Sequence, residues 1–248
     1  MHFSYPPGNS VNDGINNADF PLRYSTVCDA INSIMRMGRG AQMAKIDIKS
    51  AFRLYPVHPT DHHLLGMKWK RQFYFEHVLP FGLRSAPFIF NCLADALEWI
   101  AIQQGVCPVH HYLDDFFLVG APDSDQCARH LQTLTSLCAA LGAPLAEDKK
   151  EGPTTCLEYL GILLDSAALE APLPPDKLQD IHNAIRAWTS RTSCSKRELL
   201  SLIGTLSFAA KVVPAGRTFL RRMIDLSRAQ RLCLLPGAGH SPVSTLLA

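Results

Sequence analysis

Three aspartates interrupt two apolar runs of the sequence. Asp114 and Asp115 stand at the centre of His111–Val119, and Asp47 lies within Ala44–Ile48. A carboxylate is costly to place in strand-like, apolar sequence unless a cation offsets its charge. We therefore expect both runs to be strands that present their carboxylates at one edge of a sheet, where the carboxylates bind divalent metal ions.

The chemistry that such a site supports is phosphoryl transfer from a nucleoside triphosphate. This reaction uses two divalent ions about 3.5–4 Å apart, one on the attacking hydroxyl and one on the leaving phosphates. Mg²⁺ suits a few carboxylates together with phosphates and water, and Mn²⁺ is the alternative ion. Without metal, three close carboxylates raise one another's pKa. The structural alternative is that Asp114-Asp115 is an Asp-rich hairpin turn and Asp47 a strand-end cap.

The elements that must position these carboxylates are a mixture of helices and strands. Thr26 and Asp29 have the spacing of a capping box that begins a helix, and Gly38 is typical of its end. Hydrophobic periodicity predicts further helices over about 85–105, 124–141, 176–191 and 195–211. It predicts strands over 42–48, 54–57, 64–70, 73–78, 109–113, 116–119 and 156–164. This order indicates an α+β fold with a split βαβ pattern and helices on one face of an antiparallel sheet.

Charge is unevenly distributed along the 248 residues, although the net charge is only +2. Over 176–231 there are eleven Lys and Arg against four Asp and Glu, a balance of +7, so the remainder carries −5. A basic region beside an acidic centre suits a nucleic-acid track that leads to bound metals. A solvated helical surface explains the same charges equally well.

Cysteine and histidine usage favours an intracellular protein without a zinc site. The eight cysteines include no C-x-x-C pair, and the opening Met1–Gly8 is polar rather than a signal peptide. The adjacent pairs His62-His63 and His110-His111 lack the spacing of a closed zinc site. No apolar stretch reaches 18 residues, so we expect no membrane span.

Five short motifs, in order along the chain, resemble those of reverse transcriptases. They are Lys45–Phe52 (motif A), Leu79–Phe90 (motif B), Tyr112–Asp115 (motif C), Glu147–Lys150 (motif D) and Tyr159–Gly161 (motif E). The resemblance extends from about Ser10 to Ser227. The amino-acid sequences of three segments are most similar to those of retrotransposons of the DIRS type, which mobilise with a tyrosine recombinase. The segments are Ser10–Gly14, Leu79–Pro87 and Arg197–Gly204. The resemblance implies a ferredoxin-like palm with partial fingers and a helical thumb.

The resemblance also implies a role for each motif residue in an RNA-directed DNA polymerase. Asp47 and Asp114 would be the principal ligands of both metal ions, with Asp115 close by and the Ile48 carbonyl completing one coordination sphere. Phe52 would be the steric gate that excludes a ribose 2′-hydroxyl. The other substrate-site residues would be Ala51 beside the gate, Phe81 and Gly82 at the incoming base and template, and Lys149 or Lys150 at the leaving pyrophosphate.

The implied partners are dNTPs and an RNA or DNA template–primer duplex. Arg84, Tyr112, Leu160 and Gly161 would contact the nucleic acid, with Leu160 and Gly161 holding the primer end. The candidates for phosphate contacts along the duplex are Lys196, Arg197, Lys211, Arg217, Arg221 and Arg222. Such contacts would read the A-like shape of the duplex rather than its sequence.

A Pro-rich break at 171–175 predicts the domain organisation. We expect partial fingers and palm over 1–170, a basic helical thumb over 171–231 and a disordered tail over 232–248. The chain is expected to open after the fingers strand that supplies a triphosphate-binding basic residue in this family. Lys68, Lys70 and Arg71 are expected to replace that residue in part.

Other domains of an element-encoded polyprotein, a ribonuclease H and a recombinase, are expected outside this chain. Two alternatives to an active polymerase stay open from the sequence. The first is a truncated, catalytically inactive remnant that still binds nucleic acid. The second is a metal-dependent nuclease that uses the same carboxylates.

Overall fold

The computed structural model describes residues 2–191, 193–213 and 215–228, and the chain divides into two compact units. The first unit runs to Tyr159 and includes Leu164–Glu170. The second comprises Leu160–Leu163 and the chain from Ala171 onward. The predicted tail at 232–248 lies outside the described residues.

The strands are short and mostly antiparallel neighbours. Those described are β1 Gln42–Asp47, β2 Gly66–Trp69, β3 Gln72–Phe75, β4 Val109–Tyr112, β5 Asp115–Gly120, β6 Glu151–Thr154, β7 Cys156–Tyr159 and β8 Ile162–Asp165. The central sheet has the order β4-β5-β1-β6, while β2 pairs with β3 and β7 with β8 in two separate hairpins. The β1–β5 register runs from Gln42 opposite Gly120 to Asp47 opposite Asp115. The two carboxylate-bearing runs therefore form strands of one sheet, as the sequence predicted, and β1 and β5 are neighbours at its centre.

The helices of the first unit complete its core. They are α1 Val27–Met37, α2 Ala86–Gln103 and α3 Gln126–Ala140. The Thr26–Asp29 capping box forms, and Gly38 ends α1 with a φ of 98°. In β1, Ala44 and Ile46 point into a buried cluster with Phe90 of α2 and Leu134 of α3. Because side chains alternate along a strand, Asp47 lies on the opposite face from Ile46.

The second unit contains three described helices. They are α4 Pro175–Thr189, α5 Lys196–Ala209 and α6 Gly216–Arg228. Ser195 and Glu198 form the predicted capping box at the start of α5. Trp188, Leu199, Leu202, Leu220 and Met223 form the buried cluster that holds the three helices together. The sequence reading ended its last helix near Lys211 and missed α6.

The region between β1 and α2 differs most from prediction. The expected strand over 54–57 is absent: Ala51–Leu54 is a 3-10 helix, and only Pro56 forms an isolated bridge, to Val78. A second 3-10 helix, Pro59–Leu65, replaces the start of the strand expected over 64–70. It begins with Pro59 at a position where a missing N–H costs nothing, and His58 caps it by accepting from Thr60 N–H.

The sequence prediction also differed from the structure at two turns. The β2–β3 hairpin turns at Lys70 and Arg71, whose φ angles are 45° and 68°, one residue earlier than predicted. The expected strand over 156–164 is instead the β7–β8 hairpin, because Leu160 and Gly161 adopt φ angles of 47° and 80°. Strand β6 was not predicted, and it contains Gly152 and Pro153, two residue types that are uncommon inside strands. No helix in the described part of the chain has both the length and the apolar character needed to cross a membrane.

Candidate active site

Backbone pairing brings the three aspartates to one end of the central sheet. Asp47, the last residue of β1, is directly opposite Asp115, the first residue of β5. Asp114 occupies the β4–β5 turn, and its carbonyl accepts a 2.9 Å hydrogen bond from Ile48 N–H. Leu113 makes this turn possible with a φ of 53°. The carboxylate cluster is thus fixed by ladder hydrogen bonds rather than by flexible side chains.

Two carboxylates of the cluster have raised pKa values, mainly because they are buried. Burial raises the pKa of Asp115 to about 6, and the charges of Asp114 and Asp47 add to the effect. Burial likewise raises the pKa of Asp114, with a further contribution from Asp47. Asp47 itself is buried, with 6% of its surface exposed. Such a set of crowded carboxylates binds a cation favourably because the cation removes their mutual repulsion.

Among the described residues, Lys149 supplies the one positive charge that directly contacts any of the three carboxylates, and the carboxylate that it contacts is Asp47. Its Nζ lies 2.9 Å from Asp47 Oδ2, and this hydrogen bond raises the pKa of Lys149. The 3-10 helix Glu147–Lys149 holds it there, because Ala146 N–H donates to the Asp47 carbonyl at 2.9 Å. Lys150 instead pairs with Glu147 at 4.0 Å. Of the two lysines that the sequence offered, the structure brings Lys149 to the carboxylates.

The donor set fits a hard divalent ion, although the carboxylates are not arranged as a metal cluster. Within the described residues, no group of three or more His, Cys, Asp or Glu side chains could hold a metal ion. The Lys149 ammonium already engages Asp47, and Asp115 shares a side-chain hydrogen bond with Asp47. The carboxylate oxygens are nevertheless of the type that Mg²⁺ prefers. Ile48 is fully buried, and because its hydrocarbon side chain has no ligand atom, only its backbone carbonyl could contribute a ligand.

Downstream of β1, two aromatic rings form a corner that is open to solvent. Phe52 meets Phe81 edge-on at 5.1 Å between ring centroids and Phe90 at 5.7 Å. Phe90 is fully buried and anchors Phe52, while Phe81 is 64% exposed. Ala51, which precedes the gate candidate, is buried beneath it. Gly82 follows with a φ of 87°, so the structure places these four predicted substrate-site residues together.

Asn12 fixes the position of this corner, and the sequence reading missed it. Its side chain is buried, donates from Nδ2 to the Gly82 carbonyl at 2.8 Å and accepts from Arg84 N–H at 2.8 Å. The Ser10–Asp13 capping box, which starts a short 3-10 helix, presents Asn12 toward that loop. The signal in the sequence was the spacing of Ser10 and Asp13, which is that of a capping box.

Residues 2–164 match the protein-family model described as reverse transcriptase (RNA-dependent DNA polymerase). The chain belongs to the reverse transcriptase family. Polyprotein P3 of Commelina yellow mottle virus is 27% identical over 190 residues, which cover 74% of this chain and 9% of that protein. The transposon Tf2-3 polyprotein of Schizosaccharomyces pombe is 23% identical over 175 residues, or 68% of this chain and 12% of that protein. This reverse transcriptase chain thus spans about a tenth of the length of these curated relatives.

The solved structures confirm the fold. A foamy viral protease-reverse transcriptase in complex with double-stranded DNA aligns with a TM-score of 0.70 and 17% identity. The alignment covers 96% of this chain and 39% of that chain. The antiparallel sheet with its helices is therefore the palm-like α+β fold of a reverse transcriptase, as expected from the motifs.

The predicted nucleic-acid residues of this reverse transcriptase chain fall into two groups. In the first unit, Tyr112 packs its ring 4.6 Å from Tyr24, and the exposed Arg84 donates to the Ile15 carbonyl at 2.7 Å. In the second unit, the Gly161 carbonyl accepts from Lys177 Nζ at 3.2 Å. The other candidates in the second unit are Leu160, which is half-buried, and Lys196, Arg197, Lys211, Arg217, Arg221 and Arg222, which are exposed.

Proposed function

We propose that this chain is an RNA-directed DNA polymerase domain that adds deoxynucleotides to a primer 3′-hydroxyl. The observation that carries the proposal is the pairing of Asp47 with Asp115 across β1 and β5, with Asp114 in the adjoining turn. Crowded carboxylates on rigid strands, next to an open aromatic corner, suit a site that positions a triphosphate and a hydroxyl for in-line transfer.

In this proposal Asp47, Asp114 and Asp115, with the Ile48 carbonyl, would hold two Mg²⁺ ions, or Mn²⁺ in their place. The ions would supply charge neutralisation at the attacking and leaving oxygens. Lys149, whose side chain is 59% exposed, would exchange its bond with Asp47 for one with the leaving pyrophosphate and protonate it. Phe52, supported by Phe90, would exclude a 2′-hydroxyl.

The nucleic-acid partner would be a template–primer duplex of RNA or DNA. The TM-score of 0.70 to a reverse transcriptase solved with double-stranded DNA supports this partner. The second unit would act as the thumb, with its exposed Lys and Arg side chains on phosphates and Leu160-Gly161 at the primer end. The match to a transposon polyprotein supports a role within a longer polyprotein. We propose that this polyprotein belongs to a retrotransposon of the DIRS type, because the motif sequences resemble those of that type.

Primer extension tests the proposal directly. The chain is incubated with a primed RNA template, dNTPs and Mg²⁺. We expect extension that Asp114→Asn abolishes and that Asp125→Asn, at an exposed carboxylate that precedes α3 and pairs with Arg129, leaves intact. Duplex binding without extension would instead indicate a catalytically inactive remnant. Strand cleavage without added nucleotide would indicate a nuclease.

A further inference from the structure

The β2–β3 hairpin exposes large apolar side chains on both of its sides. Every residue of Gly66–Phe75 is exposed, although five of these ten residues are large and hydrophobic. The register pairs Met67 with Tyr74 and Trp69 with Gln72. Because residues paired across two strands share a face, these four side chains lie on one side of the hairpin, which we call the Trp69 face. Trp69 is 65% exposed and Tyr74 is 42% exposed.

The rings on the opposite side of the hairpin already have partners within the chain. Lys68 Nζ lies 5.1 Å from the centroid of the Phe73 ring. Phe75 stacks on His62 with 5.2 Å between the ring centroids. Within the described part of the chain, the two rings of the Trp69 face make neither kind of contact. These two rings are therefore available to stack on a ligand.

The hairpin is also a basic island in an otherwise acidic part of the chain. Gly66–Phe75 contains Lys68, Lys70 and Arg71 and no Asp or Glu, whereas the chain outside 176–231 carries a charge of −5. None of these three cations makes an ion pair with a described residue. Lys70 and Arg71 form the two-residue turn with φ angles of 45° and 68°, an arrangement that Asn-Gly adopts with less strain. Strained positions cluster at ligand sites, which indicates that the two charges serve a ligand.

We propose that the Trp69 face and the two turn cations bind single-stranded nucleic acid. Bases would stack on Trp69 and Tyr74, and phosphates would contact Lys70 and Arg71. Unpaired bases can offer a π-face to a ring, whereas paired bases are stacked within their duplex. A triphosphate, which the sequence suggested as the partner of these cations, would leave the two rings without a partner. The surface lies outside the residues assigned to the polymerase reaction, so the proposal does not depend on that function.

Tryptophan fluorescence of the full chain tests the stacking directly. The chain is titrated with a single-stranded oligothymidine of about 12 nucleotides, in buffer without metal ions or dNTPs. Base stacking quenches an indole, and the chain contains three tryptophans, so Trp69→Phe isolates the signal of position 69. We expect saturable quenching in the wild type and loss of most of it in Trp69→Phe. An oligouridine of the same length is titrated in parallel, and the tighter binder identifies the strand as DNA or RNA.

Variants measured by fluorescence anisotropy separate the parts of the surface. Trp69→Ala is expected to weaken binding of the oligothymidine at least about fivefold, because one stacked base is lost. Phe73→Ala, on the opposite side of the hairpin, is the matched control and should bind as the wild type does. The double variant Lys70→Asn and Arg71→Gly carries the preferred residues of this turn, so it keeps the hairpin while removing two charges. It should flatten the slope of log affinity against log salt concentration by about 0.7–1.4.

Four outcomes would overturn the proposal. The first is quenching that persists in Trp69→Phe, or wild-type affinity of Trp69→Ala. The second is an equal loss of affinity for a blunt duplex of the same length, which would indicate a general phosphate-binding surface. The third is binding of poly-L-glutamate that depends equally on Trp69, which would assign the surface to an acidic protein. The fourth is dimerisation that Trp69→Ala abolishes in analytical ultracentrifugation, which would assign the surface to a second copy of the chain.

Discussion

The Asp115 carboxylate makes the stability of the metal-free chain depend on pH. Its pKa in the folded chain is raised from 3.8 to about 6, mainly by burial and then by the charges of Asp114 and Asp47. The folded chain therefore retains a proton that the unfolded chain releases between about pH 4 and pH 6. The stabilising effect of that proton is complete below pH 4 and is lost as pH rises through 6.

We expect Asp115→Asn to remove this dependence. In buffer containing a chelator, the variant should gain on the order of 1–3 kcal/mol over the wild type at pH 7.5 and little at pH 4.5. Urea unfolding at a series of pH values measures the free energy. Asp125→Asn, which neutralises an exposed carboxylate just before α3, should follow the wild-type profile. A difference between Asp115→Asn and wild type that stays constant with pH would contradict this account.

Phe52 is expected to set sugar selectivity through its size alone. Its ring is braced by Phe90 and faces the exposed Phe81, so Phe52→Ala removes a wall without removing a charge or a hydrogen bond. Incorporation of ribonucleotides relative to deoxynucleotides should rise by at least about tenfold. Steady-state single-nucleotide incorporation gives the ratio. Phe73→Ala, at a 79% exposed ring of β3, is the matched control, and equal selectivity of the two variants would remove the gate assignment.

At the scale of elements, Gly120 determines how closely β5 approaches α3. A Cβ added at Gly120 would lie 2.4 Å from the backbone nitrogen and 2.8 Å from the Cα of Cys127, at the start of α3. Backbone atoms cannot move aside as a side chain can. Because β5 begins with Asp115, this contact also anchors the strand that carries the carboxylate.

Gly120→Ala is therefore expected to destabilise the chain by about 1–3 kcal/mol. Gly204→Ala is the control, because an added Cβ in α5 meets nothing within 4 Å. That control should be stabilising by up to about 1 kcal/mol, as alanine favours a helix over glycine. Urea unfolding compares the two variants. An unchanged free energy of unfolding for Gly120→Ala would mean that α3 moves readily against β5.

Elements with strong internal patterns could be predicted from the sequence. The capping boxes at Thr26 and Ser195 began their helices where expected, since cap and helix signals are local. The segment 51–65 could not be predicted, because its 3-10 turns are held by distant contacts such as Leu79 N–H to the Tyr55 carbonyl at 2.9 Å. The secondary-structure propensities of the residues carry no information about such distant contacts.

At the scale of the whole molecule, the candidate site also combines features that the sequence predicts with features that depend on contacts between distant residues. The proximity of Asp47 to Asp115 followed from two apolar runs and a sheet, so the sequence sufficed. The choice of Lys149 over Lys150 depended on which lysine a 3-10 turn points at Asp47. The contact between His111 of β4 and Glu98 of α2 escaped the sequence reading, which tested His110-His111 only for metal spacing. These two elements meet only in the folded chain.

The whole-molecule charge distribution gives a last prediction, on binding to a template–primer duplex. The exposed side chains of Lys196 and Arg197 begin α5, in the second unit, where basic residues outnumber acidic ones. Each phosphate contact releases counterions, so the logarithm of the association constant falls with the logarithm of salt concentration by about 0.9 per contact. We expect the double variant Lys196→Ala and Arg197→Ala to flatten that slope by about 1–2. Fluorescence anisotropy across a salt series measures it. The control is Arg129→Ala on α3, in the first unit, where Arg129 pairs with Asp125; this variant should leave the slope unchanged. If the double variant had the wild-type slope, the start of α5 would not belong to the duplex-binding surface.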